Sequence, residues 1–216
     1  MDSTKSDKEI ALRVASDLLQ ISAIKLNKSN PFTWSSGWKS PIYCDNRLSL
    51  SYPDTRSFIK EALANAVKTR YAGAEVIAGV ATAGIPQGAL VAEALGLPFI
   101  YVRSKPKGHG MENLIEGKVT PGQKVVVVED LVSTGGSSLK AAEALRKAGF
   151  EVLGMLSIFT YGFPLADDNF KAAGLELHSL SDYTTMLQIA IGQGYITEKD
   201  VESLDNWRKD PGSWEG

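Results

Sequence analysis

The sequence predicts an α/β fold built on a parallel sheet flanked by helices. Three observations carry that reading. Short apolar runs alternate with helical segments from about residue 76 onward. Four consecutive valines at 125–128 form a run with no polar alternation, which suits a central strand covered on both faces. That run passes straight into an acidic pair, a Ser/Thr/Gly turn and a helix. Alternating βα units imply parallel strands joined by right-handed crossovers.

The elements follow in order. Ser6 and Glu9 form a capping box that opens a helix running to about Leu19. Pro53 and Asp54 open a second helix, which ends near Gly73. Residues 76–80 read as a strand, followed by the turn Ala81-Thr-Ala-Gly-Ile-Pro and a helix to Leu95. Residues 98–102 read as a strand leading into a polar loop. The valine run is followed by a helix from about Ser137 to Ala148. Residues 152–159 and 175–180 are further strands, and two short helices close the chain. Residues 20–50 are rich in Ser, Trp and other aromatic residues and stand outside the alternation, so they read as a small hood.

Composition narrows the class. A chain of 216 residues reads as a single domain, 1–216, with a hood at about 20–50 and a mobile loop at about 103–120. Its net charge of −2 argues against a general nucleic-acid binder. The single cysteine, Cys44, forms no internal disulfide and fits a reducing cytosol. No apolar run is long enough to span a membrane, and the N-terminal segment lacks the apolar region of a signal peptide. These features point to a cytoplasmic protein with neither nucleic acid nor membrane as partner.

The chemistry concentrates in Val-Val-Val-Val-Glu-Asp-Leu-Val-Ser-Thr-Gly-Gly-Ser-Ser, residues 125–138. In open α/β sheets, ligands bind at the carboxyl ends of strands. Ser133, Thr134, Gly135, Gly136, Ser137 and Ser138 offer hydroxyls and unhindered N–H groups, and the following helix adds its positive dipole end. Such a turn cradles phosphate. Glu129 and Asp130 repel phosphate but accept hydrogen bonds from sugar hydroxyls, so a ribose 5-phosphate suits the whole segment. An ordinary βα turn uses the same residue types. No Gly-Lys-Ser/Thr and no Gly-x-Gly-x-x-Gly is present, which excludes the P-loop and dinucleotide fingerprints.

Four apolar residues, two acids and a Ser/Thr/Gly turn resemble the phosphoribosyl-pyrophosphate (PRPP) motif of type I phosphoribosyltransferases. The resemblance implies that family's fold: a parallel sheet flanked by helices, with a small N-terminal hood and a mobile catalytic loop. It also implies PRPP binding by Glu129, Asp130, Leu131, Val132, Ser133, Thr134, Gly135, Gly136 and Ser137, with Asp130 also catalytic. Mg²⁺ is then the implied cofactor, carried on the ligand's phosphates rather than in a protein metal cluster. No His/Cys spacing suggests zinc.

Arg103-Ser-Lys-Pro-Lys-Gly-His-Gly places Arg103, Lys105, Lys107 and His109 within seven positions of a slightly acidic chain. Taken alone, such a run also fits a solvated connector. Beside a departing pyrophosphate, however, cations stabilise the transition state, and a closing loop excludes water. The segment is similar to the catalytic loop of orotate phosphoribosyltransferases, Arg-Lys-x-x-Lys-x-His-Gly. Arg103, Lys107 and His109 match, whereas Ser104 stands at the second position and Lys105 one residue later. That resemblance implies Arg103, Lys107 and His109 as catalytic, PRPP-binding residues. It also implies a homodimer whose loop is shared between subunits.

Phe32-Thr-Trp-Ser-Ser-Gly-Trp-Lys-Ser-Pro-Ile-Tyr-Cys-Asp resembles the same family's hood, with Ser36, Gly37, Ser40, Pro41, Tyr43 and Asp45 aligned without gaps. For Trp34 and Trp38, simple packing is the competing reading. Ala81-Thr-Ala-Gly resembles the family's pyrophosphate loop, and Ser133 keeps the hydroxyl of its orotate-binding Thr. Ser35, Ala83 and Tyr161 replace basic residues found in some members. The resemblance covers roughly residues 20–190. It implies transfer of the 5-phosphoribosyl group from PRPP to orotate, giving orotidine 5′-monophosphate and pyrophosphate. A purine-salvage phosphoribosyltransferase and a PRPP-sensing transcription regulator are the alternatives. The hood argues against the first. The mixed-charge N-terminus argues against the second.

Overall fold

A computed structural model describes residues 6–27, 30–34, 36–105 and 114–214. Helix α1 (Asp7–Gln20) opens on the expected capping box: the Ser6 N–H donates to the Glu9 carboxylate at 2.8 Å, and the Glu9 N–H donates to Ser6 Oγ at 3.3 Å. The hood follows as β1 (Ile24–Leu26), β2 (Phe32–Thr33), β3 (Lys39–Ser40) and β4 (Ile42–Cys44). These pair antiparallel as β1 with β4 and β2 with β3. A 3-10 helix, Asn46–Ser51, leads into α2 (Pro53–Arg70), which stops three residues short of Gly73.

The core alternates β5 (Val76–Val80), α3 (Gly84–Leu95), β6 (Phe99–Val102), β7 (Ile115–Glu116), β8 (Lys124–Val132), α4 (Gly136–Lys147), β9 (Glu151–Thr160), α5 (Pro164–Ala172) and β10 (Leu177–Asp182). Helices α6 (Tyr183–Gly192) and α7 (Glu198–Lys209) follow. Among the described residues the main sheet has the order β10-β9-β8-β5-β6-β7. All neighbours run parallel except β7, which returns antiparallel along β6. From β5 the chain passes to β6 on one side, and then to β8, β9 and β10 on the other. The direction of winding therefore reverses between β5 and β8. A reversal of this kind opens a crevice at the carboxyl ends of the two strands.

The valine run behaves as a doubly covered strand should. Val126 and Val128 pack on the face that carries Leu18, Leu63, Tyr183 and Trp207 from α1, α2, α6 and α7. Val125 and Val127 pack on the face that carries Leu145 and Phe170 from α4 and α5. All four are fully buried, each contributing about 1.5–3 kcal/mol of hydrophobic stabilisation.

Several boundaries differ from the sequence reading. Strand β8 does not end at the acids but continues through them to Val132, since β9 pairs with it at Glu129, Leu131 and Val132. Helix α5 is an addition, signalled in retrospect by Pro164 in its first turn and Asp167 close behind. Part of the expected loop at 103–120 is strand β7, in register with Tyr101 and Val102. Lys107 and His109 lie outside the described residues, as does Ser35.

Candidate active site

The crevice at the β5/β8 reversal is a cleft of about 340 Å³ lined by Cys44, Asp45, Arg47, Ala81, Thr82, Ala83, Glu129, Asp130, Leu131 and Ser137. Its floor is unusually thin. A Cβ on Gly84 would lie 2.6 Å from the Val128 carbonyl oxygen, and one on Gly79 would lie 2.8 Å from the Gly84 carbonyl oxygen. The start of α3 therefore rests directly on β8 backbone, and only glycine permits that approach. On the far side, Gly135 takes φ +80°, a conformation suited to glycine, and no side chain caps α4. The first N–H groups of that helix remain for an anion.

The two acids have different surroundings. Glu129 is buried: its carboxylate accepts from the Asp130 N–H at 3.0 Å and from Ser138 Oγ at 3.0 Å. Burial, reinforced by the neighbouring Asp130 charge, pushes its carboxyl well above the usual range. Burial also raises Asp130, against the hydrogen bonds it accepts. Two carboxylates raised mainly by desolvation sit at a higher free energy than solvated ones, and hydroxyl donors or a cation would relieve them. Asn46, itself buried, donates through Nδ2 to the Asp130 carbonyl oxygen at 2.7 Å and ties the hood segment to the sheet end.

A second cleft of about 470 Å³ adjoins the first and shares Cys44 and Leu131 with it. Its other lining residues are Thr33, Trp34, Ser36, Tyr43, Ser133 and Tyr161. The aromatic residues do more than pack: Trp34 lies 5.0 Å from the Tyr161 ring and faces the cleft, while its Nε1 donates to the Ile42 carbonyl at 3.2 Å. Trp207 of α7, fully buried, donates through Nε1 to the Lys39 carbonyl at 3.1 Å and fixes the hood hairpin from below. Burial pushes the Cys44 thiol well up, so it stays protonated, and it donates to Asn46 Oδ1 at 3.3 Å.

The remaining sequence candidates are spread along the loop and its flanks. Val132 is buried in the core, and its carbonyl accepts from the Tyr161 N–H at 3.1 Å. Thr134 borders a neighbouring groove, with its carbonyl held by Asn169 Nδ2 of α5 at 2.9 Å. Gly136 begins α4. Arg103 stands at the root of the loop, its Nη1 3.4 Å from the Glu116 carboxylate, and it does not line the first cleft. The sequence reading missed Arg47, Asn46 and Asn169, and it set Ser138 among the hydroxyls of the phosphate turn, whereas its Oγ donates to Glu129. The run Asp45-Asn-Arg directly after the hood motif was the available signal for the first two.

A family model for the phosphoribosyl transferase domain matches residues 54–181. The chain is 58% identical over 207 residues to the orotate phosphoribosyltransferase of Cytophaga hutchinsonii, covering 96% of this chain and 97% of that one. The chain belongs to the orotate phosphoribosyltransferase family. Among solved structures, the Aeropyrum pernix orotate phosphoribosyltransferase superposes with a TM-score of 0.74 at 32% identity, covering 85% of this chain and 99% of that one. The Leishmania donovani UMP synthase gives a TM-score of 0.78 at 25% identity, covering 96% of this chain and 43% of that one. The match to the family model begins after the hood and ends before α6 and α7, so the aromatic cleft draws on segments outside it.

Proposed function

We propose that this chain transfers the 5-phosphoribosyl group of PRPP to orotate, yielding orotidine 5′-monophosphate and pyrophosphate in pyrimidine biosynthesis. The observation that carries this reading is the pair of clefts meeting at Cys44 and Leu131, one lined by carboxylates at the sheet end and one aromatic beneath the hood. Membership of the family supports both substrates.

In this reading the turn at 133–137 and the start of α4 bind the 5′-phosphate through backbone N–H groups and hydroxyls. Glu129 and Asp130 accept from the ribose hydroxyls and favour positive charge developing at C1. Orotate lies flat among Trp34, Tyr43 and Tyr161, with Ser133 Oγ in reach of its polar edge. Its N1 forms the new bond to C1 as the bond from C1 to the pyrophosphate oxygen breaks, and the electron pair leaves with pyrophosphate. The acidic N1 proton is released to solvent, and no side chain is assigned as general base. Arg103, Lys107 and His109 stabilise the departing charge when the loop closes.

Mg²⁺ fits the cleft. Among the described residues no cluster of three or more His, Cys, Asp or Glu is arranged to hold a metal. Two adjacent buried carboxylates suit a Mg²⁺ that arrives on the substrate's phosphates and keeps most of its waters. When bound, it neutralises phosphate charge; Asp130 and Glu129 would face it. The chain is read as one domain that works as a homodimer sharing its cationic loop. A cytoplasmic location accords with the lack, among the described residues, of any helix long and apolar enough to cross a membrane.

The test is loss of orotate absorbance with PRPP and Mg²⁺, with adenine, hypoxanthine and uracil as controls. Turnover of orotate alone is expected. Turnover of a purine instead would favour the salvage reading, and no turnover by the folded dimer would refute both.

A further inference from the structure

The cleft at the β5/β8 reversal is a poor host for a polyanion on its charges alone. Its lining holds three carboxylates, Asp45, Glu129 and Asp130, and, among the described lining residues, one cation, Arg47. Arg47 is not a stray surface charge. Its Nε donates to Asp45 Oδ1 at 2.7 Å and its Nη2 to Asp45 Oδ2 at 2.8 Å. The Arg47 N–H also donates to Asp45 Oδ1, at 3.2 Å, which caps the short 3-10 helix. That helix is pinned on both sides. Asn46 Nδ2 reaches the Asp130 carbonyl at 2.7 Å, Ser49 Oγ donates to the Asn46 carbonyl at 2.7 Å, and Gln87 Nε2 of α3 donates to Ser49 Oγ at 3.2 Å. Asn46, Ser49 and Gln87 are all buried.

A guanidinium has five N–H donors in a rigid plane. The fork onto Asp45 uses one on Nε and one on Nη2. Three remain on the edge away from Asp45, in the geometry that matches phosphate oxygens. Position along the ligand follows from the two clefts. The new bond forms between their occupants, so C1 must lie near Cys44 and Leu131, which border both. Asp45 and Arg47 follow Cys44 by one and three residues in the chain and line the same cleft as Ala81, Thr82 and Ala83. The 5′-phosphate end lies at Ser137 and α4. Resting on the PRPP reading above, we infer that Arg47, held in place by Asp45, binds the pyrophosphate group at C1 of PRPP and the pyrophosphate product. Exposure of Arg47 in the open cleft makes its charge weak in the free protein and stronger once ligand displaces water.

The test uses the full chain with Mg²⁺ and measures binding of inorganic pyrophosphate and of ribose 5-phosphate separately, alongside steady-state kinetics. Loss of a charge-assisted hydrogen bond predicts that Arg47→Ala weakens pyrophosphate binding and raises KM for PRPP by about tenfold or more. Ribose 5-phosphate binding and KM for orotate should stay within about twofold, since neither involves the lost donor. Arg47→Lys, which keeps charge but loses the fork, should fall between. Arg47→Met keeps the apolar stem and should match the alanine variant, which separates lost charge from lost packing. Unchanged pyrophosphate affinity in the alanine variant overturns the inference, and so does an equal loss for both ligands, which would mark a general field effect. If the unaltered protein fails to turn over orotate, the PRPP reading itself falls instead.

Discussion

The carboxylate cleft and the aromatic cleft share two residues but are built in opposite ways. The first is floored by backbone. Strand ends at the β5/β8 reversal, a glycine contact between α3 and β8, and an uncapped helix start define its floor, and Asp45 and Arg47 from the hood side stand on its other wall. The second is made by side chains from three distant segments, at 33–44, 131–133 and 161, and is held from below by Trp207. The contrast teaches that the carboxylate cleft is floored by backbone that the sheet topology places, whereas the aromatic cleft depends on side chains packed between segments far apart in sequence.

Four experiments would break or sharpen that contrast. The largest effect belongs to the cationic loop. Lys107→Ala should lower kcat by about 10²–10³-fold, the range for losing a group that stabilises developing charge, with little change in melting temperature. Unchanged kcat would remove the loop from the chemistry and leave the two clefts to account for it. Next, Asp130→Asn should cut kcat/KM for PRPP by about 10–150-fold, the equivalent of a charged hydrogen bond of about 1.5–3 kcal/mol. KM for orotate should barely move; an equal shift in both would mean that the clefts do not act separately. Ser133→Ala should act more gently and mainly on the base side, raising KM for orotate by about 2–12-fold with a smaller rise in KM for PRPP, since the Ser133 N–H of the phosphate turn is kept.

The smallest effect is on stability. Glu129 has a raised pKa in the folded protein because burial opposes its charge. Between the ordinary carboxylate range and that raised value, the folded state keeps a proton that the unfolded chain has lost. Stability therefore falls as pH rises through this window, and the full penalty applies above it. Glu129→Gln removes the titration. Its melting temperature relative to the unaltered protein should be higher at about pH 8 than at about pH 4, measured without ligand. A difference that is flat with pH would show that the carboxyl is not strained by its surroundings.

The parts of the molecule legible in the sequence were those fixed by local chemistry. The capping box at Ser6 and Glu9, the doubly covered valine strand and the βα alternation all depend on neighbours in sequence or on simple periodicity. The acids looked like the end of a strand because carboxylates rarely sit inside a sheet. The fold accommodates Glu129 there by supplying Ser138 Oγ and a backbone N–H, neither of which marks a strand in the sequence. Arg47 escaped notice because its role depends on Asn46 and Gln87 placing it over a cleft whose other wall lies more than thirty residues away. Strand β7 is only two residues long and gains its identity from pairing with β6. No periodicity exists over two residues.

The indole of Trp207 donating to Lys39 joins segments from opposite ends of the chain. The matched phosphoribosyl domain at 54–181 lies between them. The flanks close over each other like a clasp, and both clefts draw on the flanks and on the tract they enclose: the aromatic cleft takes Thr33 and Trp34 from one and Ser133 and Tyr161 from the other, and the carboxylate cleft takes Arg47 from one and Asp130 from the other. A change in either flank therefore bears on the other, because the hood hairpin takes part of its support from the C-terminal helix.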